Sequence, residues 1–264
     1  MSLIMGTFGA VLFIPFAQAF FMLTHRVAWA TVRERYANFA LAMRNGGFLL
    51  GAVLAFSGIA RLTNPLDFLL SIVIALVFLF VAGKVSDILI IYQVDNDAAV
   101  IGENNAWIAL TEAASYVGTG FILGSAGSWN DGILSMVPWF LLGQLLMLAT
   151  GRFLFRDSEA HTQPSLLIYG SIAIACSGFI LAGAISGPSS GMLVLDVGLS
   201  LAWFLGWVLI SLLLVWLTSL AFGFPAVTES RYTAIMLSSV LVCVTLLYDS
   251  VGQALIGGIF EAAT

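Results

Sequence analysis

The sequence predicts an all-α, polytopic membrane helical bundle with eight transmembrane helices and an internal repeat used in one orientation. Three observations carry that prediction. Of 264 residues, 61% are hydrophobic and only 9% charged, against roughly a quarter charged in ordinary soluble domains, and the mean hydropathy is +1.06. Eight stretches reach the ~20 apolar residues that a helix rising ~1.5 Å per residue needs to cross ~30 Å of hydrocarbon. Glycines recur at matching positions in alternate stretches.

The predicted spans are 3–24, 37–60, 67–88, 105–126, 133–154, 165–185, 192–222 and 232–260. The last two are longer than a bilayer requires and accommodate tilt. Pro65, Pro164, Pro188 and Pro225 fall in the predicted turns, and Pro138 falls in the first turns of the fifth span. Pro15 sits mid-helix, where the lost hydrogen bond predicts a kink. Ala17-Gln18-Ala19 superficially suggests a signal-peptidase site. No positive segment precedes it, however, and the first span is read as uncleaved.

Lys and Arg next to a span are retained on the cytoplasmic side. Arg26, Arg33 and Arg35 follow the first span, Lys84 the third, Arg152 and Arg156 the fifth, and Arg231 the seventh, while Arg61 alone lies on the opposite side. Both termini are therefore expected outside the cytoplasm.

The repeat is read from spacing. Asn38 to Gly51 opens the second span and Asn105 to Gly118 the fourth, with Gly51 and Gly118 67 residues apart. Cys176 and Cys243, in the sixth and eighth spans, are also 67 apart. A shift of 125 lays Gly51 on Cys176, Gly118 on Cys243, Gly58 on Gly183 and Gly127 on Gly252. This fits a two-span hairpin used four times or a four-span module used twice, at 1–128 and 129–264. The even spans hold the small-xxx-small pairs Gly47/Gly51, Gly120/Gly124 and Gly183/Gly187, whereas the odd spans hold Phe78, Phe80, Trp203, Trp207 and Trp216. Even helices are expected inside and odd helices toward lipid.

Ionisable groups at span depth cost at least ~2.5 kcal/mol near the bilayer centre unless paired or snorkelling. Arg44 and Glu112 lie at nearly the same depth on parallel helices, and Arg44 shares a helical face with Gly47, Gly51 and Gly58. An internal ion pair that fixes register is the favoured reading, ahead of an ion, proton or headgroup site or of snorkelling. Asn38 and Asn45, seven apart, are echoed by Asn105 and Glu112, with Ser115 and Thr119 continuing a polar stripe in the first half. Asn38, Arg44, Asn45, Asn105 and Glu112 form the candidate intramembrane polar site, with interhelical hydrogen bonding as its plainest role. Asp196 and Asp249 are candidate outer-side carboxylates, read as interfacial and solvated rather than as a cation entrance. Asp87, Asp95, Asp97 and Glu103 make the connection after the third span acidic. Asp95-Asn96-Asp97 lacks the glycine and distant glutamate of an EF-hand loop, so a solvated loop is expected.

A formal net charge of −5 provides no basic field for nucleic acid. Cys176 and Cys243 lie in apolar runs and cannot form a disulfide framework. His25 and His161 lack the i, i+4 partner of a helical metal site, and no Cys-x-x-Cys, Gly-x-Ser-x-Gly or phosphate-loop pattern occurs. No catalytic residue, cofactor or metal is expected.

The motif Asn-x-Ala followed by Gly-Phe-Leu-Leu-Gly in Asn38 to Gly51, with a further copy at Glu103-Asn104-Asn105-Ala106, resembles the domain of unknown function 350 family, the YjfL-like bacterial inner-membrane proteins, as a tandem double copy. In the second half Gln163 and Ser230 replace the two asparagines. The resemblance implies a bacterial plasma membrane and a role near envelope stress or membrane remodelling, and it supplies no catalytic residues. The expected function is a non-enzymatic scaffold in the lipid bilayer, with a cytoplasmic protein partner docking on the charged connections and room for a homo-oligomer. The alternative is an ion, proton or small-solute transporter or channel using the polar stripe.

Overall fold

A computed structural model describes residues 38–59, 65–90, 94–127, 133–156, 163–185, 193–223 and 230–263. Among them are seven α-helices: α1 (Phe39–Ile59), α2 (Pro65–Leu89), α3 (Ala106–Gly127), α4 (Ile133–Leu154), α5 (Pro164–Ile185), α6 (Leu193–Phe222) and α7 (Arg231–Ala263). A π-helical turn, Ala98–Gly102, stands between α2 and α3. The helices coincide with seven of the predicted spans to within the fraying usual at helix ends. The predicted first span at 3–24, with Pro15, lies outside the described residues, as do His25, His161 and Gly187.

Six of these helices, α1 and α3 to α7, are long and apolar enough to cross a membrane, and α2 contributes the shorter apolar stretch Leu70–Ser86. Much of the surface they present is apolar, including Val194, Leu209 and Leu247. Such a surface suits hydrocarbon, where a helix satisfies its own backbone groups. The chain is a membrane protein. Pro65 and Pro164, expected in turns, are instead the first residues of α2 and α5. That position tolerates proline because its N–H has no intrahelical acceptor.

Helices α1, α3, α5 and α7 stand side by side in that order. Each remaining helix leans on two consecutive members of the row: α2 on α1 and α3, α4 on α3 and α5, α6 on α5 and α7. The two central members are the most enclosed, with 72% of the apolar stretch buried in α3 and 67% in α5, against 39% in α4 and 22% in α6. The expectation that alternate helices lie inside therefore holds at the centre of the row.

The row is parallel, because contacts climb together along neighbouring helices. Gly47 meets Ala113, Gly51 meets Gly120, and Gly58 meets Gly124. Between α3 and α5, Thr111 meets Ser171, Gly118 meets Gly178, and Phe121 meets Phe179 edge to face. Further along, Gly183 of α5 faces the Asp249 carboxylate of α7. All four helices also begin alike. The carbonyls of Asn38, Asn105, Gln163 and Ser230 accept the first helical hydrogen bonds, from Ala42, Ala109, Leu167 and Ala234. Their shared end of the bundle is called proximal below, and the opposite end distal.

Lipid tails are as apolar as leucine, so helices in a bilayer gain little by hiding hydrophobic surface from one another and associate through close packing. Glycine makes that packing feasible. A methyl group at Gly58 would overlap the backbone of Gly124, one at Gly120 the backbone of Gly51, and one at Gly178 the backbone of Gly118.

Some bulky groups do not face outward as expected. Trp207 and Phe80 are buried, and Phe78 stacks on Phe140 with ring centroids 4.7 Å apart, while Trp216 is exposed. For Trp207 the cause is polar: its indole N–H donates to Thr245 Oγ1 at 3.1 Å, an acceptor that hydrocarbon cannot supply.

Gly120→Ala should force α1 and α3 apart and destabilise the protein by about 1 to 3 kcal/mol, the usual range for overpacking. Gly198→Ala, at a position with open space around it, should leave stability unchanged or slightly raised. Thermal unfolding of the purified variants in mild detergent checks both.

Candidate functional site

The polar residues of the first half gather at the proximal end of the α1–α3 seam. Arg44, one turn into α1, is 1% exposed. Its Nη1 donates to Asp97 Oδ1 at 2.8 Å and lies 3.5 Å from Glu112 Oε2. Glu112 is itself only 4% exposed. On the far side of Asp97, Lys84 of α2 approaches its second oxygen at 3.7 Å. Two cations and two carboxylates thus form a neutral chain from half-exposed Lys84 to fully enclosed Glu112. The expected pair of Arg44 and Glu112 exists, with Asp97 as the closer partner.

Contrary to the expectation of a solvated acidic loop, Asp97 is held against Arg44. The connection folds back over the start of α1 through asparagine side chains. Asn38 Oδ1 accepts from Leu41 N–H at 2.8 Å, capping α1, while its Nδ2 donates to the carbonyls of Val100 and Ile101 at 3.0 and 3.1 Å. Asn104 returns the contact, accepting from Ala40 N–H at 2.9 Å. It does so from φ = 56°, a left-handed conformation that asparagine tolerates better than most residues. Asp95 accepts from Ala98 N–H at 3.1 Å and starts the π-helical turn. The result presses Asp97 onto Arg44.

Asn105 caps α3, accepting from Trp107 and Ile108 N–H at 3.1 and 3.3 Å. Asn38 and Asn105 are therefore helix caps rather than members of a stripe running through the membrane. Asn45 is exposed on α1, outside the ion cluster. Beyond Glu112, Tyr116 stands one turn along the same face of α3, with its ring against Gly83 of α2 and edge-on to Phe48 at 5.4 Å.

Thr111, Ser171 and Gln144, which sequence reasoning left out, join Ser115 and Thr119 in the interior. The hydroxyls of Thr111 and Ser171 meet at 2.9 Å, one donating to the other. Thr119 donates to Gln144 Oε1 of α4 at 3.1 Å, and Ser115 donates to Thr111 O. Thr111, Ser115 and Thr119 recur at four-residue spacing, the only available signal, and of these Thr111 and Thr119 fasten α3 to α5 and α4. At the distal end, Asp196 is buried in the first turn of α6, contrary to the expectation of a solvated carboxylate. Asp249 is partly buried and faces Gly183. Among the described residues, no group of three or more His, Cys, Asp or Glu gathers where it could hold a metal ion.

This architecture has a counterpart in the family described as Domain of Unknown Function (DUF350), whose model matches residues 1–126 and again residues 59–175. The chain belongs to the DUF350 family. The second DUF350 match begins where α1 ends, so the two overlap and are displaced by about one helix pair. No curated protein and no solved structure matches the chain.

Removing either side of the enclosed pair should be costly. Arg44→Leu leaves Glu112 charged in a buried seam and should destabilise by about 3 to 5 kcal/mol, while the double variant Arg44→Leu/Glu112→Leu should recover most of that loss. A double-mutant cycle read by thermal unfolding checks the coupling. Strictly additive losses would show that the two do not interact.

Proposed function

We propose that this DUF350 protein is a non-enzymatic scaffold of the bacterial plasma (inner) membrane, with both termini outside the cytoplasm, that receives a soluble partner on its proximal face. Eight spans, built as a helix pair used four times in one orientation, are part of the reading. The uniform starts of α1, α3, α5 and α7 and the displaced family matches support it.

The observation that carries the functional reading is the treatment of Arg44. Its guanidinium is neutralised by a carboxylate within the seam and by one from the connecting segment. Just distal to the cluster, Gly51 closes on Gly120 and Gly58 on Gly124, so the charges meet at a packed helix–helix contact. That arrangement suits a register lock better than a permeation site. The same lock makes the segment from Asp95 to Asn105 a firm platform, with Asp95 and Glu103 exposed on it. The positive-inside rule puts this platform in the cytoplasm, where the acidic pair would face a basic surface of a partner in envelope maintenance or stress response.

Affinity capture from mildly solubilised membranes tests the proposal. A specific cytoplasmic protein should copurify with the native chain and be lost from Asp95→Asn/Glu103→Lys at unchanged thermal stability, because asparagine keeps the acceptor for Ala98 N–H. A measurable ion or solute flux in proteoliposomes that Glu112→Gln abolishes would overturn the scaffold in favour of transport.

A further inference from the structure

The inner helices use one set of positions to meet their successors. On α1 these are Gly47, Gly51, Leu54 and Gly58, which touch α3. On α3 they are Thr111, Gly118 and Phe121, which touch α5. On α5 Gly183 touches α7. The four cap positions Asn38, Asn105, Gln163 and Ser230 are separated by 67, 58 and 67 residues. With those shifts, Thr111 falls on Arg44, Gly118 on Gly51, Phe121 on Leu54, and Gly183 on Gly58. The successor-facing stripe is thus the same on three helices.

Carried onto α7, it falls on Met236, Ser239, Cys243, Leu246 and Ser250. All five are exposed. The stripe that faces the preceding helix behaves oppositely, since Ser238, Leu241 and Thr245 are buried. Thus α7 holds out, uncovered, the face that α1 and α3 use to bind the next parallel helix. It is also built for close approach: Ser239, Cys243 and Ser250 stand where α1 has Gly47, Gly51 and Gly58. The hydroxyls of Ser239 and Ser250 donate to carbonyls of their own helix, Ile235 and Leu246, so neither needs an outside partner. Alternating steps of three and four residues give the seam of two nearly parallel helices.

We infer that this face of α7 is the contact surface for a second copy of the chain, the two α7 helices packing in parallel about a two-fold axis along the membrane normal. The inference rests on the helix-pair repeat, which predicts the stripe, and continuity with the α1–α3 and α3–α5 interfaces supports a like occupant. A two-fold closes the assembly with one self-complementary contact. Of the face of α1 that a head-to-tail row would need, Gly46 is exposed while Leu49, Val53 and Ser57 are already partly covered.

Single-cysteine chains in a Cys176→Ala background, oxidised with copper phenanthroline in native membranes, test the surface. Cys243 alone, and Ser239→Cys or Ser250→Cys in a chain also carrying Cys243→Ala, should give a dimer of twice 28.1 kDa as the main product. Ile235→Cys and Leu247→Cys, exposed beside the stripe, should give little. The double variant Ser239→Leu/Cys243→Leu should run as a single chain in mild detergent with unchanged thermal stability. Cross-linking absent everywhere, or equal at all five positions, would overturn the inference. If it fails while Arg44 and Glu112 remain energetically coupled, the dimer falls and the helix-pair repeat stands.

Discussion

Backbone-to-backbone contact between parallel helices is the constraint on which the rest of this structure depends. Gly51 against Gly120 and Gly118 against Gly178 bring α1, α3 and α5 closer than any side chain would permit. In a bilayer, where apolar surface is solvated equally well by lipid, such contact supplies van der Waals attraction that looser packing forfeits. The fixed register that follows sets Arg44 opposite Glu112 and Thr111 opposite Ser171. It also leaves α2, α4 and α6 lying against consecutive members of the row, where their apolar surfaces suit lipid.

The charged groups are a consequence of that register as much as a reinforcement of it. A lone guanidinium this enclosed would be very costly, and a lone carboxylate similarly so. Placed together with Asp97 and Lys84, they form a neutral set that the fold tolerates. The chain supplies Asp97 from outside the helices by folding residues 94 to 105 over the start of α1 and holding them there with Asn38 and Asn104. A surface segment and a buried seam thereby become one mechanical unit, and any partner that grips the segment would load the seam directly.

Seven helices, the enclosure of alternate helices at the centre of the row, and the matched depth of Arg44 and Glu112 were legible because each follows from periodicity along a single helix. Asp97 was not, since nothing in a short acidic connection announces that it turns back onto a helix 53 residues earlier. Asn38 and Asn105 did carry a local signal, an asparagine immediately before an apolar run, which marks a helix cap. Reading them as a stripe gave spacing too much weight against that chemistry, and Asn45, exposed on α1, fell out of the site for the same reason. Trp207 shows another limit. Size alone does not place an aromatic group toward lipid when an acceptor such as Thr245 waits inside.

The parallel, in-register row is tested most directly at Thr111 and Ser171, whose hydroxyls touch near the starts of α3 and α5. In a chain otherwise free of cysteine, Thr111→Cys/Ser171→Cys should close into an internal disulfide under mild oxidation, whereas Thr111→Cys/Leu181→Cys should remain reduced. Closure of the second pair in place of the first would mean that α3 and α5 run in opposite directions, and the architecture described here would be wrong.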